Sequence, residues 1–266
     1  MSKSVIDNSV AKKAHYLYIF LGGFFIVNAV TAEMIGVKIF SLEKTLGLAS
    51  ADMTIFGVSG LGYSLTAGVL LWPVVFVMTD IINEYFGKSG VRRLSYLTVG
   101  LLIYVFAMIY GAMALSPDAW WAMESGLRSN GENIPDMDLA FQRIFGQGLW
   151  IIIGSLVAFL VGQILDVAVF QRIKRATGDK KLWLRATGST LVSQLVDSFV
   201  VLVIAFYIGA GWDLSRVLAI CVVNYSYKVV VAVLLTPLLY VIHAWIDTYL
   251  GSELSQRLRA GALSAS

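Results

Sequence analysis

The sequence predicts an all-α fold, a polytopic membrane bundle of six transmembrane helices, and three observations predict it. Hydrophobic residues make up 58% of the 266 and charged residues only 14%, against about 45–50% and about 25% in soluble domains. Apolar runs at about 16–37, 66–86, 94–115, 149–170, 187–210 and 215–243 are each long enough to cross a ~30 Å hydrocarbon core as a helix. Lys and Arg alternate in density between the connecting segments, as they do where loops fall on opposite sides of a membrane. Six spans and their connections use up the chain, so residues 1–266 are expected to form one integral membrane domain.

The first span follows Lys3, Lys12 and Lys13, a charged start shared with signal peptides, and Val30-Thr31-Ala32 has the look of a cleavage site. Its apolar run exceeds the ~7–15 residues of a signal peptide's core, which favours a retained helix. The second span carries Pro73, seven residues before Asp80, and the sixth carries Pro237. Proline removes a backbone donor and frees a carbonyl, so a kink is expected at each. With the N-terminus inside, fourteen Lys and Arg flank the spans on the inner side and five on the outer, which places both termini in the cytoplasm. The basic stretch Arg172 to Arg185 then reads as a topology determinant that can also touch anionic lipid.

The outer segment 116–148 holds Asp118, Glu124, Glu132, Asp136 and Asp138 with Trp120 and Trp121, and has room for a short amphipathic helix around 137–146. The outer loop 39–63 is rich in Gly, Ser and Thr and has no binding signature. Both read as connectors. Cys221 is the only cysteine and has apolar neighbours, which excludes an intramolecular disulfide and predicts a buried thiol.

The spans also contain side chains that hydrocarbon penalises. Asn28 and Glu33 lie in the first, Asp80, Asn83 and Glu84 in the second, and Gln163 and Asp166 in the fourth. Gln194, Asp197 and Ser198 follow in the fifth, Asn224, Tyr225 and Lys228 in the sixth. Ionisable groups at that depth cost several kcal/mol, so they face a bundle interior or an aqueous path and serve a polar cargo or ion. At 1.5 Å per residue Asp197 and Lys228 reach similar depths near the midplane, about 15–20 Å in, and a pairing between them is geometrically reasonable. Asp80 and Glu84 are four residues apart, as are Asn224 and Lys228, so each pair shares a helical face. Asp80, Glu84 and Asp166 lie towards inner helix ends, where the dipole disfavours carboxylates, and they call for a cation or a donor-rich ligand. Glu84 lies where Arg92 or Arg93 could neutralise it at the interface.

Gln163-Ile-Leu-Asp166 and Gln194-Leu-Val-Asp197 each set an amide one turn from a carboxylate, a combination suited to the donor and acceptor edge of a nucleobase-like ring. Trp72, Phe76, Phe199, Tyr225 and Tyr227, at similar levels, offer faces for stacking. The substrate-binding candidates are therefore Asn28, Asp80, Glu84, Gln163, Asp166, Gln194, Asp197, Asn224 and Lys228. Motifs for zinc hydrolysis, a serine nucleophile or a phosphate-binding loop do not occur, and the two histidines, His15 and His243, lie near inner helix ends. No cofactor, metal site, catalytic set or nucleic-acid contact is expected.

Several of these segments together resemble the queuosine precursor transporter family, also called the vitamin uptake transporter-like family. The resemblance rests on Asn28 and Lys38 around the end of the first span and on AGVLLWPVVFVMTDIINEYFGKSGVRR, the most specific segment. It continues in GQILDVAVFQRIK at 162–174, STLVSQLVDSFVVLVIAF at 189–206 and NYSYKVVVAVLLTPLLY at 224–240. What it implies is inward transport of a 7-deazaguanine base, such as 7-cyano-7-deazaguanine, across a bacterial inner membrane for tRNA modification. Two other readings stay open: a substrate-binding subunit energised by a separate ATPase, and an intramembrane enzyme acting on lipid. The partners expected are a small nucleobase-like molecule and the lipid bilayer. Oligomeric state and energy source are not legible.

Overall fold

The computed structural model describes residues 3–124, 136–177 and 181–264. Its long helices are α1 (Lys3–Ile35), α3 (Trp72–Met113), α6 (Leu149–Thr177), α7 (Leu182–Leu202) and α8 (Leu214–Leu250). Five helices of membrane-spanning length and apolarity result, when a π-helical turn at Val203–Ile208 is counted with α7. The 42-residue α3 accounts for two crossings, because it breaks at Gly87 (φ 68°, ψ −173°) into two arms. The chain is thus a polytopic helix bundle with six crossing segments. Exposed Phe20, Leu97, Ile103, Ile164, Val230 and Leu234 give the long helices apolar outer faces, as contact with acyl chains requires.

The sequence places a short loop between the second and third spans, whereas the structure has only the break at Gly87. Two things demand glycine there. The positive φ is open to glycine at little cost. A Cβ at that position would also stand 2.9 Å from the carbonyl oxygen of Ala262. Ala262 belongs to α9 (Ser252–Ser264), a helix absent from the sequence reading, which packs its Leu254 and Leu258 against the apolar cluster of α1, α3, α6 and α8.

Pro73 does not kink a span. It occupies the first turn of α3, where no intrahelical donor is lost, and the preceding Ala67–Leu70 form a 3-10 turn. Residues 66–71 therefore approach the bundle as non-α backbone. Pro237 does lie inside α8.

The outer loop after α1 is more structured than a connector. It forms β1 (Ile39–Ser41), a single turn α2 (Leu42–Thr45), β2 (Met53–Ile55), β3 (Val58–Leu61) and β4 (Ser64–Thr66). β1 pairs antiparallel with β4 and β2 with β3. Glu43 knits the loop, accepting from the Tyr63 N–H (2.7 Å) and from Ser41 Oγ (3.1 Å). Tyr63 in turn reaches Ser226 of α8 across 3.2 Å.

In the second outer segment come α4 (Ala119–Glu124) and α5 (Met137–Phe145). α5 is the amphipathic helix expected at 137–146, started by Asp136, whose side chain accepts from the Leu139 N–H at 2.9 Å. Glu132, named above among the acidic residues of this segment, and Arg128, one of the five outer basic residues, lie outside the described residues.

Candidate functional site

A cavity of about 400 Å3 opens in the half of the bundle next to the loop between α1 and α3, the half expected from the charge pattern to face outward, lined by α1, α6, α7, α8 and the ends of the loops on that side. Small-molecule sites typically run to about 300–1,000 Å3. Ile39, Thr66, Arg143 and Gln147 stand at its outer side, and Gln147 Nε2 donates to the Glu33 carbonyl at 3.1 Å. Glu33, Ser155, Ser198 and Asn224 contribute polar groups, and Trp72 and Phe206 contribute aromatic surface.

The floor is an ion pair. Lys228 Nζ donates to Asp197 Oδ2 at 2.6 Å, with the two side chains 14% and 18% exposed. Asp197 lies fifteen residues into α7 and Lys228 fourteen into α8, so both sit about 21–23 Å from their helix starts. α6 comes close enough at Gly162 that a Cβ there would lie 3.7 Å from the Asp197 Cβ. The pairing expected from the sequence is therefore present, at the floor of the chamber rather than in packed core.

Below the floor a narrow cleft of about 30 Å3, walled mainly by apolar Val69, Pro73, Val77, Leu235 and Leu239, is touched by Asp80, Thr190, Gln194 and Lys228, and its volume has room for about one water. Beside it lies a layer of buried oxygen. Asp80, 2% exposed, accepts from Ser189 Oγ at 3.4 Å and Thr190 Oγ1 at 3.3 Å. Asp166, fully buried, accepts from Ser193 Oγ at 3.1 Å. Gln163 Oε1 accepts from Thr79 Oγ1 at 3.0 Å. Gln163 Nε2, Asp166 Oδ2 and Gln194 Oε1 are buried with no hydrogen-bond partner among the described residues.

At the opposite end of the bundle, the one expected to face inward, charged groups converge on Glu84. Glu84 Oε1 lies 2.8 Å from Arg185 Nη2, Glu84 Oε2 lies 3.1 Å from Lys174 Nζ, and Arg259 Nε lies 3.7 Å from Oε1. Glu84 and Lys174 are fully buried and Arg185 nearly so. From α9, Arg259 Nη2 donates to Asp247 Oδ2 (2.7 Å) and to the Tyr85 hydroxyl (2.9 Å), and that hydroxyl donates to Asp247 Oδ1 (2.8 Å). His243 stacks on Tyr85. This corrects two expectations. Arg92 and Arg93 are exposed rather than paired with Glu84, and Lys174 and Arg185, read as loop charge, are buried partners of that carboxylate.

Of the nine candidates, Asp197, Asn224 and Lys228 line the chamber, and Asp80 and Gln194 line the cleft with Lys228. Gln163 and Asp166 lie in the buried layer behind. Glu84 belongs to the inner charge network, and Asn28 donates to its own helix at the Phe24 carbonyl (2.8 Å). Neither lines a cavity. Of the aromatics, Trp72 faces both cavities and Phe76 is buried. Sequence reasoning passed over Arg143, Gln147 and Ser155, which sit in or beside segments without a recognisable pattern. It also passed over Ser189, Thr190 and Ser193, whose hydroxyls look unremarkable until α7 is seen against Asp80 and Asp166. Cys221 is buried, its Sγ 3.5 Å from the Ser198 carbonyl. No group of His, Cys, Asp and Glu suited to holding a metal ion occurs among the described residues.

Residues 66–242 match the model of a family described as putative vitamin uptake transporter. The match covers the second to sixth crossings and leaves out α1, with Asn28, and also Lys38. The chain is 30% identical over 183 residues to the probable queuosine precursor transporter of Bacillus subtilis (strain 168), covering 67% of this chain and 72% of the relative. To the queuosine precursor transporter of Escherichia coli (strain K12) it is 27% identical over 195 residues, covering 73% and 79%. To a probable queuosine precursor transporter of Haemophilus influenzae it is 28% identical over 171 residues, 64% of each chain. No solved structure gives a significant match.

Proposed function

Because this chain belongs to the putative vitamin uptake transporter family, we propose that it imports a queuosine precursor, a 7-deazaguanine base such as 7-cyano-7-deazaguanine, across a bacterial inner membrane. The observation that carries this reading is the outer chamber floored by Asp197 and Lys228. A carboxylate there accepts from the ring N–H and exocyclic amine of such a base, and an ammonium donates to its carbonyl. Asn224 adds an amide, and Trp72 and Phe206 give the ring aromatic surface, where stacking contributes about 1–3 kcal/mol per base.

The binding set we propose is Asp197, Lys228 and Asn224 in the chamber, with Gln194 and Asp80 beneath and Gln163 and Asp166 behind them. Glu84 acts at a distance by holding the inner end shut, and Asn28 steadies α1. In alternating access one side opens while the other is sealed. A roomy outer chamber above a charge-closed inner end supports assignment to an outward-facing state. Bound cargo satisfies Asp197 and Lys228 separately, which removes the need for their direct pairing and frees α7 and α8 to move relative to each other. The basic residues on the inner side favour cytoplasmic termini, and residues 1–266 act as one membrane domain.

The test is uptake of labelled deazaguanine bases into proteoliposomes containing this chain alone. Saturable uptake competed by unlabelled 7-cyano-7-deazaguanine supports the reading. Empty-liposome rates under every imposed gradient, from folded and correctly inserted protein, would contradict it.

A further inference from the structure

The buried layer under the chamber holds two carboxylates and, among the described residues, no cation of its own. Asp80 and Asp166 present four carboxylate oxygens. Three hydroxyls face them, Ser189, Thr190 and Ser193, each with a single hydrogen to give. Ser189 is also placed to donate to the Ala186 carbonyl at 3.1 Å, and Ser193 to the Thr190 carbonyl at 3.1 Å. Asp166 Oδ2 is left with no donor. Ser189 interacts with both carboxylates, and their charges repel one another.

The charged groups around the layer do not relieve this. On its own helix Asp80 faces Glu84, a further negative charge, which Lys174, Arg185 and Arg259 already hold. From α8, Lys228 borders the same cleft as Asp80 but is committed to Asp197. From α7 come the three hydroxyls and Gln194, whose Oε1 is unpartnered, and from α6 comes Gln163, whose Nε2 is an unpartnered donor but neutral. Two ionised carboxylates in such surroundings carry a desolvation cost that neutral hydroxyls offset only in part. The missing element is a positive charge.

We propose that Asp80 and Asp166 share one proton across Ser189, and that this proton is the ion whose inward flow drives cargo import. An O–H bond forms at one carboxylate oxygen as the proton arrives and breaks as it leaves, with no other bond changed. A dehydrated alkali cation fits less well, because sites for such ions draw on carbonyls freed by unwound helix. Here α6 and α7 run as unbroken helix past Asp166 and through Ser189 to Ser193. The proton's outer route in this proposal runs through the cleft that Asp80, Thr190 and Lys228 border together, a passage that is mainly apolar and so holds water only transiently. Cargo that engages Lys228 thereby acts on the cleft, and this links cargo to proton.

The coupling half of the proposal rests on the transport reading, and the protonation half does not, so two measurements separate them. Difference infrared spectra of the purified protein, titrated across neutral pH, should show a protonated carboxyl band. Asp80→Asn and Asp166→Asn should each abolish it, since an amide supplies the donor that the proton supplied. A band unchanged in both variants, or no protonated carboxyl in the wild type, overturns the shared proton. In proteoliposomes, accumulation of a neutral base at zero membrane potential should grow about tenfold for each unit by which the outside is made more acid, and residual uptake by Asp166→Asn should ignore the pH difference. Accumulation that follows an imposed sodium gradient at uniform pH overturns the coupling. Loss of the infrared band in the variants with no cargo taken up by wild type would leave the proton site standing and sink the coupling together with the transport reading.

Discussion

Lys228 and Asp197 meet at 2.6 Å on the floor of the outer chamber, each about 21–23 Å from the start of its helix and each still partly accessible. A buried pair kept for packing alone is readily replaced by apolar residues of similar volume. A half-open pair facing a cavity is positioned to exchange its partner for a ligand.

Neutralising either member should separate binding from stability. Asp197→Asn or Lys228→Gln leaves one partly buried charge alone and should lower the melting temperature, while weakening cargo binding by about ten- to a hundredfold, in line with ~1.5–3 kcal/mol for a charged hydrogen bond. The double variant removes both charges and should regain most of the stability without regaining uptake. Thermal melts and uptake normalised to membrane abundance check this. Uptake recovered together with stability would assign the pair to packing.

The two carboxylates of α3 should respond differently. Glu84→Gln strips the anion from buried Lys174 and Arg185 and should cost about 3–5 kcal/mol of stability, seen as reduced folded protein in the membrane. Asp80→Asn removes a carboxylate that only hydroxyls contact, so it should keep its abundance and lose uptake per molecule. Quantitative blotting beside transport distinguishes them. Equal abundance in both variants would show that the Glu84 network does not hold the inner end.

Gly87→Ala should loosen α9. The substitution places a Cβ at a positive φ and 2.9 Å from the Ala262 carbonyl, so both the break in α3 and the docking of α9 are strained. Limited proteolysis at the C-terminal end, compared with wild type, should show faster cleavage before the rest of the bundle is cut. Unchanged cleavage would mean that α9 docks without the close approach.

Topology is open to direct chemistry, because Cys221 is buried and slow to react. A cysteine at Gln142, exposed on α5, should label from outside intact cells, and one at Gln256, exposed on α9, only after permeabilisation. The reverse pattern would invert the bundle.

The sequence carries the spans because a hydrocarbon core leaves a coarse imprint, a long run without charge, and that imprint survives whatever the helices later touch. It also carries the Asp197–Lys228 pair, since depth in a straight helix follows from residue number alone. Gly87 was hidden because a glycine between two apolar runs reads as a loop, and only the approach of α9 shows why the helix breaks there. The partners of Glu84 were hidden for a related reason: Lys174 and Arg185 lie about 90–100 residues away, whereas Arg92 and Arg93 are near in sequence and end on the surface. The hydroxyls of α7 became meaningful only once the helix faced Asp80 and Asp166.

The most direct measurement is equilibrium binding of labelled 7-cyano-7-deazaguanine to the purified protein in detergent, wild type beside Asp197→Asn. Saturable binding to the wild type, displaced by the unlabelled base and weakened at least about tenfold in a folded Asn variant, is the result this account expects. Equal affinity in the two proteins, or no binding to a folded wild type, would contradict it.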